Sequence, residues 1–352
     1  MSKSLIIFMF ITLFSFSQEN KSSLDFALID KNSKKVKYKN DITQLTLELT
    51  KDYNSKIEKT RAIFIWITEN IKYDCRKYNR IFLKGKVKKF KCKTKEQCDL
   101  KITNYEQKQI IRTLKKGKGI CGDYSMLFEK MCKISGINCY YINGYTKTKA
   151  FQIGKLGELK HAWNVVDIDG VYYYFDVTWA SGGVSEYENG KLKKFYKKFN
   201  EYYWMTPIDK LSRNHYPKDT TWIKNSIFNK TLYKNNPYID NSLISSIDVL
   251  SPKTGVLNAK VGDTIKFIIK YNNNVEKIQI NSNSKRNPSV WKIFKKKEVF
   301  NEEALKKQKY IDFTKDEDVI SFNYVIDNKS INFVSILFDY RLALKYRIKI
   351  TN

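Results

Sequence analysis

The stretch Gly117-Lys118-Gly119-Ile120-Cys121-Gly122-Asp123-Tyr124 sets the reading of the whole chain. Two glycines make a turn, and beyond it Tyr124, Leu127, Phe128, Met131 and Cys132 fall on one stripe of a helix. Gly136 closes that helix. Cys121 therefore stands in the first turn, where unpaired backbone N–H groups and the helix dipole favour an anion, a setting that lowers a thiol pKa. Its own N–H could serve an oxyanion hole. A lone cysteine is more often buried or disulfide-bonded, and Cys121 lies three residues before Tyr124, on the apolar stripe. Its place at the helix start, and the partners found further along, favour a nucleophile.

Downstream, Ile137 to Tyr145 reads as a strand, and His161-Ala162-Trp163-Asn164-Val165-Val166-Asp167-Ile168 as another. Asp169-Gly170 is a strong hairpin-turn signal, and Val171 to Trp179 runs on as a second strand rich in Tyr and Phe. A two-residue loop pairs Ile168 with Val171, which sets His161 across from Thr178 and Asp176 across from Trp163. His161 and Asp176 are then diagonal neighbours on one face, about 7 Å apart. A four-residue loop would place them directly opposite; a three-residue loop would put them on opposite faces. A thiolate nucleophile needs a base and a group that orients it. The chain has only two histidines, His161 and His215. Asp176, between Phe175 and Val177, is an acid in an apolar strand and asks for a partner. His215 has no carboxylate in a defined register and reads as structural.

Upstream, Ile57 to Ile71 has helical spacing, with Ile63, Trp66, Ile67 and Ile71 on one face. A Lys-rich, cysteine-bearing stretch, about 80–104, breaks the periodicity as a surface insertion. A short helix is expected over Glu106 to Leu114. Beyond residue 240 short strands follow one another: Ile265 to Tyr271, Val275 to Ile280, Val319 to Val325, Ile331 to Phe338 and Leu342 to Ile350. That rhythm predicts an all-β, immunoglobulin-like sandwich over 240–352, with a boundary near Asn235-Asn236-Pro237.

The first residues carry Lys3, an apolar run from Leu5 to Phe14, and Ser15-Phe16-Ser17 before a polar stretch, the pattern of a secretory signal peptide over 1–17. Residues 18–45 are expected to be a loosely ordered lead-in. Export to a secreted, periplasmic or cell-envelope location makes disulfides available, and Cys92 and Cys98 could close a small loop between them. No later segment looks transmembrane. Formal charge is +29, from 65 Lys and Arg against 36 Asp and Glu. An anionic envelope surface suits that balance. Lysines are spread along the whole chain without any recognition-helix, zinc-finger or aromatic RNA-binding pattern, which argues against nucleic acid. Paired Cys-x-x-Cys units and calcium-loop spacings are missing from the sequence, so no metal and no cofactor is expected.

Gly119-Ile120-Cys121-Gly122-Asp123-Tyr124-Ser125, His161-Ala162-Trp163-Asn164 and Phe175-Asp176-Val177-Thr178-Trp179, in that order, resemble the transglutaminase-like superfamily. Trp66-Ile67-Thr68-Glu69-Asn70-Ile71-Lys72-Tyr73-Asp74, Tyr203-Trp204-Met205-Thr206-Pro207, His215-Tyr216-Pro217 and Trp222 are similar to its kyphoscoliosis-peptidase-like branch. The resemblance covers roughly residues 55–225, within a domain placed at 46–235. It implies an α+β, papain-like core with Cys121 as nucleophile, His161 as base and then acid, and Asp176 as the orienter of His161. Trp163 and Trp179 would line the acyl channel. The activity implied is a thiol peptidase or amidase acting on a protein or peptide substrate through an acyl-enzyme. A cross-linking transamidase is the alternative within that chemistry. A surface-binding protein that keeps the fold as scaffold is the alternative outside it.

Overall fold

The computed structural model describes residues 26–86, 88–224, 226–294 and 297–351. The signal-peptide expectation for 1–17 lies outside the described residues. Helices α1 (Ala27–Ser33) and α2 (Ile42–Thr50) pack against α3 (Lys56–Asn70). The stretch expected to be a loose lead-in is thus folded from residue 27 onward. Arg61, inside α3, explains part of this. Its guanidinium is buried, forks onto Asp30 of α1 at 2.8 Å twice, and reaches Glu201 at 2.5 and 3.0 Å. Removing α1 would take away one of the two carboxylates that hold this buried charge. Ser55 and Glu58 form a capping box that starts α3.

After β1 (Lys72–Tyr73) and α4 (Cys75–Tyr78) comes the insertion, closed by a Cys92–Cys98 disulfide. It leads into α5 (Lys95–Lys116), which is 22 residues long rather than the short helix expected. Few of its side chains are buried and Leu100, Ile102 and Ile111 face solvent, so the apolar period is faint along most of its length. Thr94 caps its start, and Gly117, at φ 58°, ends it in the left-handed region. The next residues form β2 (Lys118–Gly119), parallel to β1, and deliver the chain to α6 (Cys121–Ile134).

The central sheet holds β3 (Asn138–Thr146), β4 (Leu159–Ile168) and β5 (Val171–Phe175). Then follow α7 (Val177–Ser181), the ribbon β6 (Gly182–Glu186) and β7 (Leu192–Lys197), α8 (Ile208–Leu211) and β8 (His215–Pro217). The sheet order is β5-β4-β3-β8, antiparallel throughout. Helix α6 lies across β3 and β4, and Phe64, Tyr124, Phe128, Trp163 and Phe175 fill the core between them and α3. The hairpin register is the expected one, Ile168 opposite Val171, with Asp169 and Gly170 both at positive φ. The expected strand stops four residues early, because Asp176 caps α7 by accepting from the N–H groups of Thr178 and Trp179 at 3.0 Å each.

Helix α9 (Lys230–Asn235) ends beside Asn236-Pro237. The remainder is strand-rich: β9 (Tyr238–Ile239), β10 (Ile247–Ser251), β11 (Val256–Ala259), β12 (Thr264–Tyr271), β13 (Ile278–Ser282), β14 (Trp291–Phe294), β15 (Lys297–Phe300), α10 (Glu302–Lys306), β16 (Thr314–Asp316), β17 (Val319–Val325), β18 (Phe333–Phe338) and β19 (Arg341–Ile350). Two sheets, β10-β12-β17-β16 and β11-β19-β18-β13, close on a second core around Phe267, Phe322, Ile336 and Tyr346. Among the described residues no helix is long and apolar enough to cross a membrane.

Candidate active site

Cys121 is placed by three constraints. Its loop is tied to β1, since Asp74 N–H donates to the Gly119 carbonyl at 2.8 Å. The Asp123 carboxylate folds back to accept from the Ile120 N–H at 2.7 Å, and Lys77 Nζ from α4 holds the same carboxylate at 2.6 and 2.7 Å. The third constraint is steric: a Cβ on Gly119 would meet Asp123 Cβ at 2.6 Å, so only glycine lets the loop pass so close. The thiol sits at the start of α6 with Sγ 3.6 Å from the Lys160 carbonyl.

The structure brings His161 and Asp176 together as the diagonal register requires. His161 Nε2 lies 2.7 Å from Asp176 Oδ2. The ring's other nitrogen is left for the thiol, and Cys121 is near enough to His161 to contribute to its pKa. Burial alone would push the His161 imidazolium down. The Asp176 charge and hydrogen bond, reinforced by Cys121, outweigh it and raise the group to about 10. Asp176 is 0% exposed. Burial pushes its carboxyl up, yet the two histidines facing it hold it well below the usual carboxylate range.

The second histidine is His215, which reads as structural from sequence and is in fact the fourth member of the cluster. Pairing of β8 with β3 brings it in, and its Nε2 lies 3.1 Å from the same Asp176 Oδ2. It is 1% exposed, and burial pushes it down to about 4, against the pull of Asp176 and aided by the charge on His161. Its Nδ1 lies 2.6 Å from Asn214 Oδ1, and the Asn214 amide nitrogen in turn donates to the Tyr203 hydroxyl at 3.4 Å. Asp176 is thereby fixed by two backbone N–H groups on one oxygen and two imidazoles on the other.

His161, Asp176 and His215 also offer one ligand atom each within 4.8 Å of one another. Ligands on a tetrahedral ion at about 2.1 Å would stand roughly 3.4 Å apart. The 2.7 Å His161–Asp176 spacing is that of a hydrogen bond, so the trio fits proton sharing better than metal binding.

The two tryptophans part company. Trp163 is 1% exposed; it stacks on His161 at 6.0 Å and meets His215 edge-on at 5.0 Å. It holds the imidazoles from beneath, which corrects the expectation that it lines a channel. Trp179 is half-buried, 4.9 Å from the His161 ring and 4.5 Å from that of His215. Tyr73, Tyr78 and Tyr141 complete the surround: burial raises all three phenols, and each is near enough to Cys121 for its charge to add to the effect.

Residues 40–205 match the family model of the transglutaminase-like domain. The chain is similar to kyphoscoliosis peptidase of Mus musculus, 29% identical over 223 residues, and to that of Homo sapiens, 30% identical over 199 residues. These alignments take in 60% and 56% of this chain but only 30% and 26% of the relatives, so the chain spans less than a third of their length. A crystal structure of a TGase covers 55% of this chain and 40% of its own, at 16% identity and a TM-score of 0.28.

Proposed function

We propose that the protein is an exported thiol acyl-transfer enzyme, a peptidase or amidase acting on peptide or isopeptide bonds. The observation that carries this reading is the contact chain from Cys121 through His161 to a buried Asp176, 2.7 Å from the ring. Cys121 sulfur attacks the scissile carbonyl, and the tetrahedral oxyanion forms near the N–H groups of the first turn of α6. His161, which holds the thiol proton, gives it to the departing amine. Water then enters with His161 as base, and the acid product leaves. Asp176 keeps the proton-bearing Nε2 pointed at itself and so fixes which nitrogen faces sulfur. An amine could take the place of water, which would make the same site a transamidase. The apolar leader at 5–14 is the basis for export.

Alkylation by iodoacetamide across a range of about pH 5 to 9, with the modified cysteine located by mass spectrometry, tests the reading. Selective labelling at Cys121 that His161→Ala abolishes supports it. Labelling no faster than that of an ordinary thiol would leave a scaffold protein instead. Incorporation of a primary-amine probe into a Gln-containing protein separates transamidation from hydrolysis.

A further inference from the structure

The strand-rich half contains a cavity of about 460 Å³ that the acyl-transfer reading does not use. It lies on the outer face of the β13-β18-β19 sheet. The inner face of that sheet packs into the second core; the outer face is roofed by the loop through Arg286 to Val290 and by Gln308. The size falls within the roughly 300–1,000 Å³ usual for small-molecule sites.

Its lining has two unmet demands. The first is charge. Lys345 Nζ lies 3.7 Å from the centroid of the Phe333 ring, and the Arg286 guanidinium stands 5.5 Å from the same centroid. One aromatic face can attract a cation, but two cations on one ring repel each other. Neither is in an ion pair among the described residues, and no acidic side chain lines the cavity. Burial and the charge of Arg286 both push the Lys345 ammonium down, the direction expected where a counter-charge is missing. The second demand is a hydrogen bond. Gln279 is fully buried on β13 and gives its Nε2 to Gln308, yet its Oε1 has no partner. A buried acceptor left bare costs stability unless something donates to it.

We propose that this cavity binds a compact anionic ligand of the acidic-sugar class, its carboxylate between Arg286 and Lys345 and a hydroxyl donated to Gln279. Side-chain amides and hydroxyls, among them Asn281, Asn287 and Ser335, suit a ring bearing several hydroxyls. The pocket lies over the face of β18, which is paired on both sides, so a ligand there meets side chains rather than the free backbone edge that an added peptide strand would need.

Calorimetric titration of the mature full chain with a galacturonic acid trimer tests this, beside the neutral galactose trimer and an acetylated tri-glutamate peptide. The uronate should bind saturably, lose affinity about tenfold or more in Arg286→Gln and again in Lys345→Gln, and weaken between about 50 and 500 mM salt. The neutral sugar should give no saturable heat. Arg286 is exposed, so its replacement leaves folding intact, as circular dichroism would verify. No saturable uronate binding, unchanged affinity in Arg286→Gln, or preferential binding of the acidic peptide would each overturn the proposal.

Discussion

His215 should make the protein lose stability in mild acid, and the chain's composition isolates the effect. It has only two histidines, so between about pH 7.5 and 5 few other side chains titrate. His215 drops from 6.5 to about 4 on folding. A depressed histidine is neutral in the native state while the unfolded chain binds a proton, so its contribution to stability is present above pH 6.5 and lost as pH falls toward 4. Over the window from pH 7.5 to 5 the loss is about 2 kcal/mol. His161 moves the other way: raised to about 10, its contribution grows as pH falls from 7.5 and is complete only below pH 6.5, so it offsets about 1.4 kcal/mol of the loss in the wild type, and the effect of His215 is read from the difference between wild type and variant. The assay is urea unfolding at pH 7.5, 6 and 5, followed by tryptophan fluorescence, since five of the six tryptophans belong to the first core. His215→Gln, which can still donate an amide N–H to Asp176, should remove that loss from the difference between wild type and variant. Parallel pH profiles for the two proteins would refute the view that His215 is held neutral by burial.

Asp176→Asn keeps an oxygen for the α7 cap but presents an N–H to both imidazoles, reversing the His161 tautomer; turnover or Cys121 alkylation should fall about 10³- to 10⁴-fold with little change in circular dichroism. Gly119→Ala drives a methyl into Asp123 and should destabilise by about 1–3 kcal/mol in thermal or urea unfolding, with slower Cys121 labelling. Asp123→Ala leaves the buried Lys77 ammonium unpaired, for a loss of about 3–5 kcal/mol. The double variant Asp123→Leu with Lys77→Met should recover most of it, short of about 1 kcal/mol for the bare Ile120 N–H.

The Cys121 helix, the hairpin and its register could be read from the chain because each rests on neighbours in sequence: two glycines, a stripe, a two-residue turn. The features that escaped depend on distant partners. His215 meets Asp176 across 39 residues, through a three-residue strand with no period of its own. Asp30 meets Arg61 across 31 residues, which hid the folding of α1 behind its lysines. Val177-Thr178-Trp179 are β-forming residues, and the Asp176 cap overrides that preference. Trp163 lies beside the imidazoles, as its place next to His161 implies, but on their buried side, since alternation along β4 does not say which face is open.

Lys77 does one thing more. Besides Asp123 it holds Gln109 Oε1 at 2.9 Å, and so clasps α4 to the middle of α5. Everything between about residues 80 and 108, disulfide included, leaves and returns through this clasp. Such a segment is a cassette: it can lengthen, shorten or be exchanged while the reactive sulfur stays where it is. Relatives could differ there freely and keep the same chemistry, and a designer could graft a recognition loop at that point without reworking the centre.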